Sequence, residues 1–373
     1  MRTLKPGHAG LFCWTLLRRL LVDLRMSRRV PCSALLTIGL FLSSTAFGQN
    51  APPTGEPPVE DFQEVQQPDG LEDIDAILVA GRQPGPGLWK VRSGERTLWI
   101  LGTQSPLPKR MEWDSANVER RIGESQELLM PPTVNMDADV GFFRGLTLLP
   151  SLFKARKNPD GKTLSEVVPA DEYARWAMLK QRYIGGDRDI EEWRPLFAAL
   201  ELYGKAISRS GMTQDSRVAD TVRKAAKRSK VKITVPTLKI KIANVKTALR
   251  DFSNETLNDQ DCFRRTLDRI ETDLGTMVGR ANAWAEGDIE SLRDLPYQNQ
   301  FTACAAAFTG NEMARKLGMQ DIQTRVENEW LSVAERALRE NDTTFAVLPM
   351  SQLLQPDGLL QRLVARGYMV EEP

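Results

Sequence analysis

The 373-residue sequence contains one histidine, His8. Residues 49–373 have none, so the bulk of the chain has no imidazole base for a serine nucleophile and no imidazole ligand for a metal ion. An excess of charge of one sign is also missing. The 50 Lys and Arg against 49 Asp and Glu leave +1, so the strongly basic surface of a nucleic-acid binder is not expected. No long apolar run occurs near the start: residues 34–42 are apolar but far shorter than the roughly 20 residues of a membrane span. Cysteine is scarce, with Cys13, Cys32, Cys262 and Cys304.

What is present at the start reads as a targeting segment. Arg28 and Arg29 precede the apolar run, and Ser43, Ser44, Thr45, Ala46, Phe47 and Gly48 follow it. These are the basic, apolar and cleavage regions of a secretory signal. Met26 fits that layout as the true start; an uncleaved anchor is the alternative. Segment 1–48 carries +6, and removing it from +1 leaves −5 for the exported chain. Cys13 and Cys32 leave with it. Cys262 and Cys304 then form an even pair in an oxidising compartment and are expected to join as a disulfide, with two separate buried thiols as the alternative. The expected location is periplasmic or secreted, with no stable transmembrane segment after signal cleavage.

Residues 49–87 have the composition of an acidic, proline-rich linker. Pro52, Pro53, Pro57, Pro58 and Pro68 stand among Glu56, Glu60, Asp61, Glu64 and Asp69, with too little apolar surface to repay ordering. Residues 74–80 are more apolar and are expected to dock on the domain as a strand. Gly81, Pro84, Gly85, Pro86 and Gly87 then interrupt the chain. No internal repeat is evident.

Residues 88–373 read as one domain. Residues 88–91 and 97–101 form a hairpin about Ser93 and Gly94. Asp114 or Ser115 opens a helix to about 124, and 127–130 is a short buried strand stopped by Pro131 and Pro132. Tyr173, Trp176, Ala177, Leu179 and Tyr183 give 169–183 helical spacing. Pro195 starts a helix to about 209, and Asp215 or Ser216 caps another to about 227. Residues 230–243 are two short strands or one bent edge strand about Pro236. One long amphipathic helix spans 259–286 and ends at Gly287. Helices fill most of 288–341, followed by a strand at 343–348, a helix at 359–365 and a strand at 367–371. The alternation predicts a mixed α/β, helix-rich fold with a short central sheet flanked by helices.

Several strings carry a resemblance in their order and spacing: Leu88-Trp89-Lys90-Val91, Leu101-Gly102-Thr103 with Leu107-Pro108, Arg280 with Trp284, Gly287 and Asp288, then Phe345-Ala346-Val347, Asp357-Gly358-Leu359-Leu360 and Gly367-Tyr368. In these the chain from Leu88 onward resembles the TraB/GumN family, which shares a superfamily with the Tiki metalloproteases and the erythromycin-esterase-like proteins. The resemblance implies that fold. It also implies a metal site of two Gly-x-x-His motifs and a glutamate at the end of an early strand, holding a divalent ion with one position open for water.

The sequence departs from that pattern at each point. In Gly102-Thr103-Gln104-Ser105 the histidine position holds Ser105. The strand 127–130 leads to Pro131 where the glutamate should stand. Pro349 replaces the second glycine and Gln352 the second histidine, and a further acidic position holds Thr237. Hydroxyl and amide oxygens bind zinc weakly beside imidazole or carboxylate, so no metal and no cofactor is expected. The degenerate pocket is left able to bind a neutral polar ligand through Ser105, Gln104 and Gln352. The resemblance adds Arg280, Trp284, Arg325 and Asn328 as pocket residues beside Gly102 and Thr103.

Other groups have plainer readings. Ser105 with Lys109 is a candidate Ser–Lys pair. Glu124 and Glu127 read as solvated groups at a helix end and a strand start, with a carboxylate pair as the alternative. Asp137 and Asp139 read as loop or helix-start residues, without the alternating ligands of a calcium loop. Lys224, Lys227, Arg228, Lys230, Lys232, Lys239, Lys241 and Lys246 read as a solvated helix face and lysine-protected edge strands; contact with an acidic glycan or membrane surface is the alternative. The leading expectation is an exported, non-catalytic pseudoenzyme of the cell envelope that binds a ligand or an envelope protein. The alternatives are a metal-dependent or serine-based hydrolase with an unorthodox centre, and an interaction module of envelope or polysaccharide machinery.

Overall fold

Alternating apolar residues and a glycine at the turn make the first hairpin. In the computed structural model, which describes residues 85–138, 142–215, 217–294 and 300–373, strands β1 (Leu88–Ser93) and β2 (Arg96–Thr103) pair antiparallel. Gly94 makes their turn at φ +61°, a conformation glycine adopts without strain. The chain continues through β3 (Leu107–Pro108), α1 (Ala116–Gly123), β4 (Glu127–Leu129) and β5 (Thr133–Ala138). A helical stretch follows: α2 (Phe142–Ala155), α3 (Leu164–Val167), α4 (Ala170–Tyr183) and α5 (Pro195–Arg209). Next come β6 (Met212–Thr213), α6 (Arg217–Arg228), β7 (Lys232–Thr234) and β8 (Thr237–Ile242). Helices α7 (Val245–Asn254), α8 (Gln260–Thr272), α9 (Leu274–Glu286), α10 (Ile289–Asp294), α11 (Gln300–Thr309), α12 (Glu312–Lys316) and α13 (Ile322–Glu340) precede β9 (Thr343–Pro349). The chain closes with α14 (Met350–Leu353), α15 (Leu359–Val364) and β10 (Met369–Glu371).

The main sheet has the order β10-β1-β2-β9-β4-β7. Strands β2, β9, β4 and β7 are mutually parallel, while β1 runs antiparallel to both β2 and β10. β9 shows why helices must cover both faces: five consecutive residues, from Thr344 to Leu348, are buried, the unbroken pattern of a parallel strand enclosed on both sides. Val118 and Ile122 of α1, Val222 of α6, and Trp330, Leu331 and Ala334 of α13 pack with Ile100, Leu128 and Phe345 in one core. A second core, built on Trp176, Tyr203 and Phe263, joins α4, α5, α8 and α9. The chain is thus the expected helix-rich mixed α/β protein. Among the described residues no helix is long and apolar enough to cross a membrane.

Cys262 and Cys304 do form a disulfide, tying α8 to α11 across a sequence separation of 42. Loop-closure entropy for that separation amounts to about 4 kcal/mol. Replacing both cysteines by alanine should therefore lower unfolding stability by roughly that amount; an unchanged denaturant midpoint would show that the bond constrains nothing.

Two expectations need correction, and one left open is decided. The region 259–286 is two helices, not one. The break falls at Asp273 (φ −116°, ψ 0°), whose buried carboxylate reaches Arg280 Nη1 at 3.0 Å and Arg269 Nε at 3.6 Å. Asp137 lies within strand β5, not in a loop or at a helix start, and β5 itself pairs parallel with β8 in a separate ribbon. The segment 230–243 resolves into its two-strand alternative, with Pro236 between β7 and β8. Across the prolines the two paths stay joined by Met130 N–H to Thr234 O and Thr133 N–H to Pro236 O, both 2.9 Å. The leader 1–48, the linker up to residue 84, Asp139 and Ser216 lie outside the described residues.

Candidate ligand site at the strand ends

The register of the four parallel strands puts the motif positions at one edge of the sheet. Thr103 is level with Pro349, Leu129 with Ala346, and Leu129 again with Thr234. β2 and β9 therefore end level with each other, and β4 and β7 end level with each other three residues earlier along β9. Ser105 follows β2, Gln352 follows β9, Pro131 follows β4 and Thr237 follows β7. Neighbouring strands lie about 4.8 Å apart, so β2 to β7 spans roughly 14 Å. Crevices beyond the carboxyl ends of such strands are where open α/β sheets bind ligands.

Close packing holds the first motif in place. A Cβ at Gly102 would lie 2.7 Å from Met350 Sδ and 3.0 Å from Trp89 Cζ3, so only glycine lets α14 settle against β2. Trp284 Nε1 donates to the Gly102 carbonyl at 2.8 Å from a buried position, and Trp113 meets the Trp284 ring edge-on at 5.6 Å. Thr103 Oγ1 donates to Leu348 O at 3.3 Å, stitching the two strand ends together. Gln104 is buried and Ser105 is exposed. Across the edge, the hydroxyls of Thr133 and Thr237 lie 3.1 Å apart. A Cβ at Gly358 would come 2.4 Å from Gln352 O, so that glycine allows the loop after α14 to close on the Gln352 backbone. Gln352 Oε1 is buried and, among the described residues, has no hydrogen-bond partner.

The groups that line this edge are neutral. Ser105, Thr237, Gln352 and Pro131 present hydroxyls, an amide and a proline ring there, and such oxygens do not fit a transition metal. Among the described residues no three His, Cys, Asp or Glu side chains group as a metal cage.

Several other residues singled out in the sequence fall elsewhere. Arg280 is buried against Asp273. Arg325 is exposed and donates to Gly318 O, and Asn328 is exposed and accepts from Arg362. Lys109 does not serve Ser105: its Nζ donates to Ser208 O at 2.6 Å. The basic stretch divides into two. Lys224, Lys227, Arg228 and Lys230 are exposed around the end of α6, whereas Lys239 and Lys241 face outward on β8, with Lys241 opposite Asp137.

Glu127 is the residue that sequence reasoning placed wrongly. It is not a solvated strand-start group, for its side chain is only 2% exposed. Arg336 Nη2 donates at 2.9 Å, Asn341 Nδ2 at 3.2 Å, and Thr234 Oγ1 also donates, while Lys232 Nζ lies 3.1 Å away. Burial by itself would raise the carboxyl pKa, but these donors outweigh it and hold it at about 2. The cluster sits at the amino ends of β4 and β7, opposite the candidate site. Glu124 is separate and pairs at the surface with Arg120 and Arg121.

A model of the TraB/PrgY/gumN family matches residues 87–372. Comparison with curated proteins and with solved structures found no match.

Proposed function

Because the chain belongs to the TraB/PrgY/gumN family, we propose that it is an exported, non-catalytic member that binds a neutral polar ligand, or a polar group of an envelope protein, at the strand ends. The observation that carries this reading is the amide oxygen of Gln352. A buried acceptor without a donor costs about 1–3 kcal/mol, and such costs are tolerated where a ligand supplies the missing bond. Gln104 and the Ser105 hydroxyl flank the same edge, so the site offers donors and acceptors without charge. Neutral groups of this kind can select a ligand, but they are too weakly basic to take a proton from water. The pocket of a metal-bearing fold is thereby turned from chemistry to recognition.

The reading is tested at Gln352. Gln352→Leu should stabilise the chain by about 1 kcal/mol, since it removes an unsatisfied oxygen at similar volume, and should abolish thermal shifts produced by a panel of neutral polyols and amides. Loss of stability in that variant would mean that the oxygen is already satisfied within the protein. Chelator-sensitive peptidase activity of the purified protein would overturn the non-catalytic reading. Ser105→Ala should leave folding intact, because the side chain is exposed.

A further inference from the structure

Charge of the two signs is not spread evenly over this chain. Residues 217–246 hold ten Lys and Arg against one acid, Asp220, and so carry +9; the whole chain is +1, which leaves −8 for everything else. The fold turns this stretch outward. Val218, Val222, Ala225 and Ala226 bury one side of α6, and Arg217, Lys224, Lys227 and Arg228 are exposed on the other. Lys230 and Lys232 carry the exposed charge onto β7, the last strand of the main sheet. Lys239 and Lys241 are exposed on β8, which pairs only with β5, and Lys246 is exposed at the start of α7.

Arg228 and Lys232 meet the carboxylates of Glu119 and Glu127. Among the described residues the other eight cations have no carboxylate partner. Elsewhere pairing is the habit, as at Lys157, Arg175, Lys180, Arg264 and Arg366. Two ordinary roles explain part of the excess. Lysine on an edge strand deters pairing with another chain, and Lys227 and Arg228 complement the dipole at the end of α6. Neither role covers Arg223 or Lys224, and Arg217 in the first turn opposes the dipole.

The character of the charges indicates the partner. Seven of the ten are lysine, a point charge that attracts anions without fixing their geometry. Residues 217–246 contain no aromatic side chain to stack on a base. The cations are spread over four successive elements, and from Lys230 to Lys241 the chain can extend up to about 36 Å. Many unspecific attractions over a broad outer surface match a layer of anionic headgroups, which draws clusters of about four to eight Lys and Arg.

We propose that residues 217–246 form a peripheral docking surface for an anionic phospholipid bilayer. Lys227, Arg228, Lys230 and Lys232 gather near the amino end of β7, opposite the strand-end crevice. Docking there would hold the crevice facing away from the lipid.

Co-sedimentation of the purified protein with vesicles tests this. Each lysine at such a surface is worth about fivefold in affinity. An equal mixture of phosphatidylglycerol and phosphatidylcholine should therefore bind the protein at least a hundredfold more tightly than phosphatidylcholine alone. Molar salt, which shortens the Debye length to about 3 Å, should remove the preference. The triple variant Lys224→Glu, Lys227→Glu, Lys230→Glu should bind the two vesicles alike, with an unchanged circular dichroism spectrum because all three side chains are exposed. Reversing three exposed charges elsewhere, Lys154→Glu, Lys162→Glu, Arg188→Glu, should keep most of the preference. Equal binding of both vesicles by the unaltered protein would overturn the proposal. So would an equal loss in the two variants, which would assign the effect to net charge and not to this surface. Capture of soluble polygalacturonate without binding to the vesicles would assign the surface to a linear acidic polymer and overturn the proposal as well.

Discussion

The triple variant Ser105→His, Pro131→Glu, Gln352→His should bind zinc one to one with a micromolar or tighter dissociation constant. The parent chain should bind no tighter than millimolar. That is at least a thousandfold gain, about 4 kcal/mol. The expectation rests on β2 and β9 ending level and on β4 lying beside β9, so that the three substituted positions follow the carboxyl ends of adjacent strands. Two imidazoles and one carboxylate are a sufficient protein ligand set for zinc with an open position. Pro349 need not be changed, because its φ of −60° suits proline at the start of α14. Binding should also raise the melting temperature in proportion to occupancy. A folded triple variant that ignores zinc would show that the positions do not converge.

A second large effect is expected at the other end of the strands. Glu127→Ala should cost about 3–5 kcal/mol, the usual penalty for removing one partner of a buried ion pair. The carboxyl pKa near 2, against 4.5 for an ordinary glutamate, is itself a stability of about 3 kcal/mol. Its sign follows from the depressed value. The contribution is complete above about pH 4.5 and is lost as pH falls toward 2, because the unfolded chain takes up the proton first. Urea midpoints of the parent chain should therefore fall steeply through that window, and Glu127→Gln should flatten the dependence. Parallel pH profiles for the two proteins would mean that Arg336 and Asn341 do not hold the charge.

Local periodicity made much of the fold legible in the sequence. The hairpin at Gly94, the helices ending at Tyr183 and Arg209, and the apolar strand before Pro349 are each specified by a few neighbouring residues. What stayed hidden depends on distant partners. Glu127 looks solvated because Arg336 and Asn341 lie more than 200 positions away. Asp273 sits inside a continuous helical pattern, and only its burial between two arginines reveals the break. β5 was missed because its pattern is weak and its pairing with β8 exists only after the prolines redirect both paths. The same division holds for the candidate site. The lack of histidine after residue 48 can be read from the sequence alone, whereas the position of Ser105, Pro131, Thr237 and Gln352 after the carboxyl ends of neighbouring parallel strands follows from the sheet order. The unpartnered oxygen of Gln352 follows from packing.

The most direct test of a binding site that does not hold a metal is a calorimetric titration of purified residues 49–373 with zinc, manganese and cobalt. The neutral side chains at the strand ends predict no binding tighter than about millimolar, roughly 4 kcal/mol. Tight one-to-one binding of any of these ions would contradict the account, because oxygen ligands elsewhere in the chain would then have rebuilt a metal centre.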